Sequence, residues 1–239
     1  MSRMFFNEII SDIKGKRIGK IFVIVLLYGL VLIWRKPEQF DFGDYQMEFF
    51  RGVLYASVFL AAYLLTYSFE KGNIKYQLHD VIRREKIWSI KILSMLSYSV
   101  LFWIISLIFS VMLKFMGIRC VWDNIFSVDR LILYIVVISV IFAYGYLLTL
   151  LLKNVFLVEI LMIALWVVPY QVLPFFLYGI NIENIISEKF MQLVHYFPQI
   201  IIVKWVSDNK IDFRFFIIMI LHIVILQFIA KKIFCNKEI

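Results

Sequence analysis

Leu131–Leu152 reads LILYIVVISVIFAYGYLLTLLL, twenty-two consecutive residues without one charged side chain. At about 1.5 Å of rise per helical residue the run is about 33 Å long. That matches the hydrocarbon core of a bilayer, about 30 Å. Five further stretches read alike: Ile18–Trp34 with Lys20 able to snorkel at its edge, Gly52–Phe69, Ile92–Leu113, Val155 to about Leu177, and Phe213–Ala230. Transmembrane barrels need short alternating strands. These runs are continuously apolar, so six transmembrane helices and an all-α polytopic membrane fold are expected, over residues 1–239 as one transmembrane domain.

Composition agrees. Of 239 residues 63% are hydrophobic and 18% charged, against about 45–50% apolar and about 25% charged in soluble domains. The mean hydropathy is +0.87. A soluble domain of this size cannot hide that load, which excludes a soluble enzyme, a disordered regulator and a nucleic-acid-binding domain. The first apolar run begins near Ile21, ends in Trp34-Arg35-Lys36 and lacks a small-residue cleavage site. It reads as an uncleaved span rather than a signal peptide.

The formal net charge is +8, and its distribution orients the bundle. One set of ends carries fifteen basic residues, among them Arg3, Lys16, Lys75, Arg83, Arg84, Lys91, Lys153 and Lys231, against six acidic ones. The opposite set is balanced, ten against ten. The positive-inside rule then puts both termini in the cytoplasm. Cys120 falls outside and Cys235 inside, so they cannot pair within one chain. His79, His195 and His222 fall at three different depths and cannot share a metal. Trp34, Tyr45, Trp88, Trp122 and Tyr170 lie near span ends and read as interface anchors.

Three stretches between and before the spans have character of their own. Phe5, Ile9 and Ile13 repeat at helical spacing within Met4–Lys16, so residues 1–17 are expected to form an interfacial amphipathic helix. Ile182, Ile186, Phe190 and Val194 form a similar stripe, and the outer segment 178–212 is long enough to have structure of its own. The inner segment Glu70–Lys91 reads EKGNIKYQLHDVIRREKIWSIK. It is dense in charge yet rich in large apolar residues. It reads either as a short helix that docks a partner or as inner extensions of spans two and three.

That segment resembles the corresponding loop of ABC-2 type permeases, the membrane subunits of ATP-binding-cassette exporters. The family pattern has an acidic residue after span two, a Gly, an apolar helix, an Arg and a Lys opening span three. Here these are Glu70, Gly72, Ile74 to Leu78, Arg83 or Arg84, and Lys91. Where the family often has Pro-Ser before the Arg, this chain has Val81-Ile82. The resemblance implies that residues 70–91 are a coupling helix seated in a groove of an ATPase. Lys153 and Asn154 would be a smaller contact, and the N-terminal helix would brace the junction. It also implies two ATPase copies, a second permease subunit, identical or paralogous, and ATP with magnesium held by the ATPase. The chain itself lacks G-x-x-x-x-G-K-[ST], whose backbone cradles phosphates, so no cofactor is expected in it and it is not expected to be an enzyme. Its basic, Ile- and Phe-rich character is most similar to Gram-positive permeases that expel lantibiotics or cytolytic peptides. The implied cargo is an amphipathic antimicrobial peptide or a lipid, and the implied location a bacterial cytoplasmic membrane.

On the family pattern spans two and five line the path, with Tyr55, Tyr63, Tyr67, Met162 and Trp166 as candidates. Glu159 reads as the only acidic residue inside a span, and intramembrane carboxylates are functional candidates by default. It lies about 6 Å in from the start of span five, within reach of the inner rim. Pro169 and Pro174 are expected to break span five, because Pro removes a backbone donor and the freed carbonyl needs a partner. An intramembrane enzyme is disfavoured, since neither Gly-x-Ser-Gly nor H-E-x-x-H occurs. A non-transporting immunity or sensor protein that binds a peptide toxin remains the alternative to transport.

Overall fold

A backbone in hydrocarbon must satisfy its own N–H and C=O groups, which restricts an apolar chain to helices or a closed barrel. The computed structural model takes the helical solution. It describes residues 17–35, 40–70, 84–119, 122–169, 171, 196–208 and 212–236, and every regular element among them is a helix. In chain order these are α1 (Arg17–Arg35), α2 (Phe42–Glu70), α3 (Arg84–Phe115), α4 (Trp122–Ile125), α5 (Val128–Leu152), α6 (Val155–Met162, continued by a π-turn over Ile163–Val167), α7 (Pro198–Asp208) and α8 (Phe213–Asn236).

Four of them contain a stretch long and apolar enough to cross a bilayer: Phe42–Leu64, Arg84–Phe115, Val128–Leu152 and Phe213–Cys235. The expected first span coincides with the 19-residue α1. The expected fifth coincides in its first half with the shorter apolar helix Val155–Val167. The interfacial helix expected over 1–17 and the outer segment up to residue 195 lie outside the described residues.

The helices overrun the apolar runs that announce them. α2 begins ten residues before Gly52, and α3 begins eight before Ile92. The start of α2 has a local cause. Asp44 N–H donates to Asp41 Oδ1 at 2.8 Å and Asp41 N–H to Asp44 Oδ2 at 3.0 Å, a reciprocal cap that satisfies two orphan donors. Once nucleated there, the helix propagates through Glu48 and Arg51 regardless of their polarity. Asp44, Glu48, Glu85 and Asp129 lie in helices long and apolar enough to cross a membrane, whereas Glu159 lies in the shorter apolar helix Val155–Val167. Residues 84–91 are the first two turns of α3. That part of the Glu70–Lys91 segment extends the α3 helix, and residues 71–83 lie outside the description.

α5 is the centre of the bundle, packed by α2, α3 and α8. Of its most apolar window 61% is buried, against 17% for α8, which runs along the periphery. Close contact is made by small residues and stacked rings. A Cβ on Gly145 would lie 2.9 Å from Ala61 Cβ. Phe49 stacks on Phe109 with centroids 4.1 Å apart, and Tyr98 lies beside Phe142 at 6.2 Å. A buried polar link joins α2 to α3, where Gln46 Nε2 donates to Ser110 Oγ at 2.8 Å and Ser106 Oγ to Gln46 Oε1 at 3.4 Å. α5 ends at Lys153 in the left-handed region (φ 55), whose N–H returns to the Thr149 carbonyl, and Asn154 caps α6 by accepting from Leu157 N–H. The turn between α5 and α6 is thus two residues long.

Candidate functional site

The N-terminal end of α3 and the C-terminal ends of α5 and α8 form one junction. Arg84 Nη1 donates to the Cys235 carbonyl at 3.1 Å, one residue before α8 ends, where carbonyls lack helical partners and a cation is favoured. Glu85 and Lys231 face each other at 3.4 Å, exposed enough that the pair contributes little. One turn on, Trp88 is 1% exposed, edge-on to Tyr146 at 5.8 Å and tilted on Phe234 at 5.4 Å. Tyr146 Oη donates to the Lys91 carbonyl at 3.2 Å. The base of α3 is therefore held on two sides. The reading of Trp88 as an interface anchor is corrected by this burial, as is that of Tyr45, which is 3% exposed. Trp34 and Trp122 are exposed.

Of the residues implied to couple to an ATPase, Glu70 closes α2, Arg84 opens α3 and Lys91 is buried two turns into it. Gly72, Ile74, Leu78 and Arg83 lie outside the described residues.

The residues implied to line a path are divided by the structure. Tyr55 and Tyr63 are half-buried on α2, eight residues apart and so on one face, with Phe59 exposed between them. Tyr67 follows one turn later. Met162 and Trp166 are 0% and 1% exposed, and Tyr144 packs edge-on against Trp166 at 5.4 Å, so both serve the core of the single chain. Glu159 is half-buried on α6. His222 Nδ1 lies 2.9 Å from the Ile218 carbonyl, so it is tied to its own helix. Among the described residues no three His, Cys, Asp or Glu side chains gather as a metal site.

The face of α2 that carries Tyr55 continues toward Asp41 with residues that sequence reading assigned to the outer loop. Arg51 Nη1 lies 2.9 Å from Glu48 Oε1 and 3.2 Å from Oε2, with side chains 28% and 21% exposed. The adjoining Gly52 is covered by the Tyr28 ring of α1, whose nearest atom would lie 2.5 Å from a Cβ there. Gln171 donates to Tyr55 Oη. The i, i+3 spacing of Glu48 and Arg51 and the i, i+3 spacing of Asp41 and Asp44 were the available signals.

α6 explains how a helix tolerates Pro169. Pro169 has no N–H for the carbonyl four residues back, which is Leu165. The backbone widens to a π-turn over Ile163–Val167, a frequent response at such positions. Gln199 Nε2, from α7, donates to the Leu165 carbonyl at 3.1 Å. α7 thus supplies the partner that the proline removes. Gln199→Ala and Gln199→Glu both delete the donor and should each cost about 1–3 kcal/mol. Unfolding in mixed micelles measures this, and wild-type stability in both variants would refute the role.

Comparison with family models returns no match, and comparison with curated proteins returns no match either. The arrangement of side chains is therefore the ground for assigning function.

Proposed function

We propose that the chain is the membrane permease subunit of an ATP-binding-cassette exporter of the ABC-2 type, working in a bacterial cytoplasmic membrane. In this reading α1 and the helix begun by α6 complete six spans, both termini are cytoplasmic, and residues 70–91 transmit force from a separate ATPase that holds ATP and magnesium. Two ATPase copies and a second permease subunit, identical or paralogous, complete the machine. The cargo, an amphipathic peptide or lipid-like molecule, moves outward along the face of α2.

The inner junction carries this reading. α3 is 32 residues, about 48 Å, so it outruns the hydrocarbon, and its overrunning end is bonded to α8 and α5. A push on the chain between Glu70 and Arg84 would act on a braced helix rather than on a loose loop. The alternative, an immunity or sensor protein that binds a toxin without transporting it, needs no such brace.

Arg83→Glu separates the two. Arg84 is left in place because it caps α8. Under the transport reading an ATPase co-purifies with the wild-type chain from its native membrane, and Arg83→Glu lowers the recovered ATPase at least tenfold while the permease stays folded. A wild-type chain that purifies without any ATPase, or an Arg83→Glu chain that keeps it, overturns the reading.

A further inference from the structure

We propose that the notch on α2 formed by Glu48, Arg51 and Tyr55 holds the headgroup of a zwitterionic phospholipid, with its ammonium on Glu48 and its phosphate on Arg51. The proposal rests on the permease reading, because it names the class of cargo that the α2 face handles.

The order of groups along α2 is the first argument. Asp41 and Asp44 cap the helix at its exposed end, and Trp34 and Arg35 end α1 at the same level, both exposed. That end lies at water. The headgroup layer is about 5–7 Å deep on each side of the bilayer. Glu48, four residues past Asp44, lies about 6 Å deeper, at the base of that layer; the Arg51 backbone lies about 4–5 Å beyond it, and its guanidinium reaches back to Glu48. Tyr55, Phe59 and Tyr63 follow one turn apart into the apolar region. A phospholipid in that leaflet presents the same order from water inward: ammonium, phosphate, ester, acyl chain. The two side chains start one helical turn apart and their charged ends touch at 2.9 Å, so the notch offers both signs side by side, as a headgroup with a two-carbon linker between ammonium and phosphate does. The opposite orientation would place the phosphate against Glu48, so the notch also reads polarity.

Chemistry and access are the second argument. A carboxylate accepts from an ammonium, and a guanidinium is the side chain suited to phosphate. The Tyr28 ring, seated on Gly52, stands beside the pair as an aromatic wall for a cation. Both charged side chains keep access, 28% and 21% exposed, although they sit in a helix apolar enough to span. Charged residues in such helices face a partner group, a cavity or a path. Phe59, 43% exposed, continues the same face for a chain to lie on.

The test uses the full delipidated chain in detergent, supplied with equal amounts of phosphatidylethanolamine and phosphatidylglycerol and read by native mass spectrometry. Both lipids have the phosphate and only the first has the ammonium. The wild type is expected to retain phosphatidylethanolamine about fivefold over phosphatidylglycerol, the worth of one partly exposed charge pair. Glu48→Gln should bring that ratio to one or below, and Arg51→Gln should weaken phosphatidylethanolamine by a similar factor. Free phosphoethanolamine at the same concentration should not displace the lipid. Equal retention of the two lipids by the wild type, an unchanged ratio in Glu48→Gln, or displacement by the free headgroup overturns the proposal. If a glutamine variant fails to fold, the exchanged pair Glu48→Arg with Arg51→Glu keeps the contact and inverts its polarity; it must lose the preference, and retaining it overturns the proposal. The assay contains no ATPase. Its failure removes the headgroup site and leaves the permease reading standing, whereas failure to recover an ATPase removes the cargo role and leaves the site.

Discussion

Gly145→Leu is expected to lower the unfolding free energy of the chain by about 3 kcal/mol, the upper part of the range for overpacking. Helices in a bilayer gain little from apolar burial against one another, because lipid tails are equally apolar. Their association depends on close packing, which small residues permit. Gly145 is a point of close approach between α5 and α2. A Cβ there would meet Ala61 Cβ at 2.9 Å and the Ala61 backbone carbonyl carbon and oxygen at 3.2 and 3.3 Å. Backbone cannot rotate away as a side-chain tip can, so the helices must separate. Ala61 and the adjacent Phe142 and Tyr146 are all at most 1% exposed, and separation would open that contact along its length. Gly145→Ala sharpens the test through its sign. Alanine in a helix ordinarily gains about 1 kcal/mol over glycine, and Gly19, with nothing within 4 Å of its Cβ position, should show no loss. At Gly145 the same change should destabilise. Unfolding in sodium dodecyl sulfate mixed micelles reads both. Wild-type stability for Gly145→Leu would mean that α2 and α5 do not cross at this residue.

The contrast between these glycines shows where sequence reading reaches its limit. The Leu131–Leu152 run announces its own helix, since twenty-two apolar residues have no other use. Nothing in the run says which side chain meets α2. That depends on helix rotation, which a helix apolar on every side leaves open. Helix ends were hidden for a different reason. The length of a bilayer marks where apolar residues stop, whereas the helix stops where its hydrogen bonds do. Glu48 and Arg51 were therefore assigned to a loop, although Asp41 and Asp44 already marked a helix start three residues apart. Pro169 was legible as a break, and the need for a partner followed from it. That Gln199 is the partner was not legible, because thirty-four residues separate it from Leu165. Met162 and Trp166 read as path-lining by family pattern, and in the single chain they pack inward because Tyr144 on α5 covers the indole.

Trp88→Ala should cost about 3–5 kcal/mol, the range for truncating a buried large aromatic, and should do so without touching any charge at the junction of α3, α5 and α8. The ring is 1% exposed and packs between Tyr146 of α5 and Phe234 of α8, so its removal leaves a cavity that three helix ends share. The ends of α3 and α8 project past their apolar runs, where water rather than lipid is the alternative environment, so burial of Trp88 and Phe234 there gives its full hydrophobic gain. The indole N–H has no hydrogen-bond partner among the described residues. Trp88→Phe, which keeps most of the ring and removes the orphan donor, should therefore cost less than about 1.5 kcal/mol, as volume-conserving swaps do. The two variants together separate packing from hydrogen bonding. In thermal unfolding in detergent, Trp88→Ala should fall well below Trp88→Phe and Trp88→Phe should stay close to wild type. Equal losses would assign the role to the indole N–H. An Ala variant as stable as wild type would show that α3 is not braced at its base, and the mechanical argument for a coupling segment between Glu70 and Arg84 would lose its support. On the transport reading, Trp88→Ala also weakens force transmission without altering Arg83, so the proposed ATPase should still co-purify while its stimulation by the chain falls.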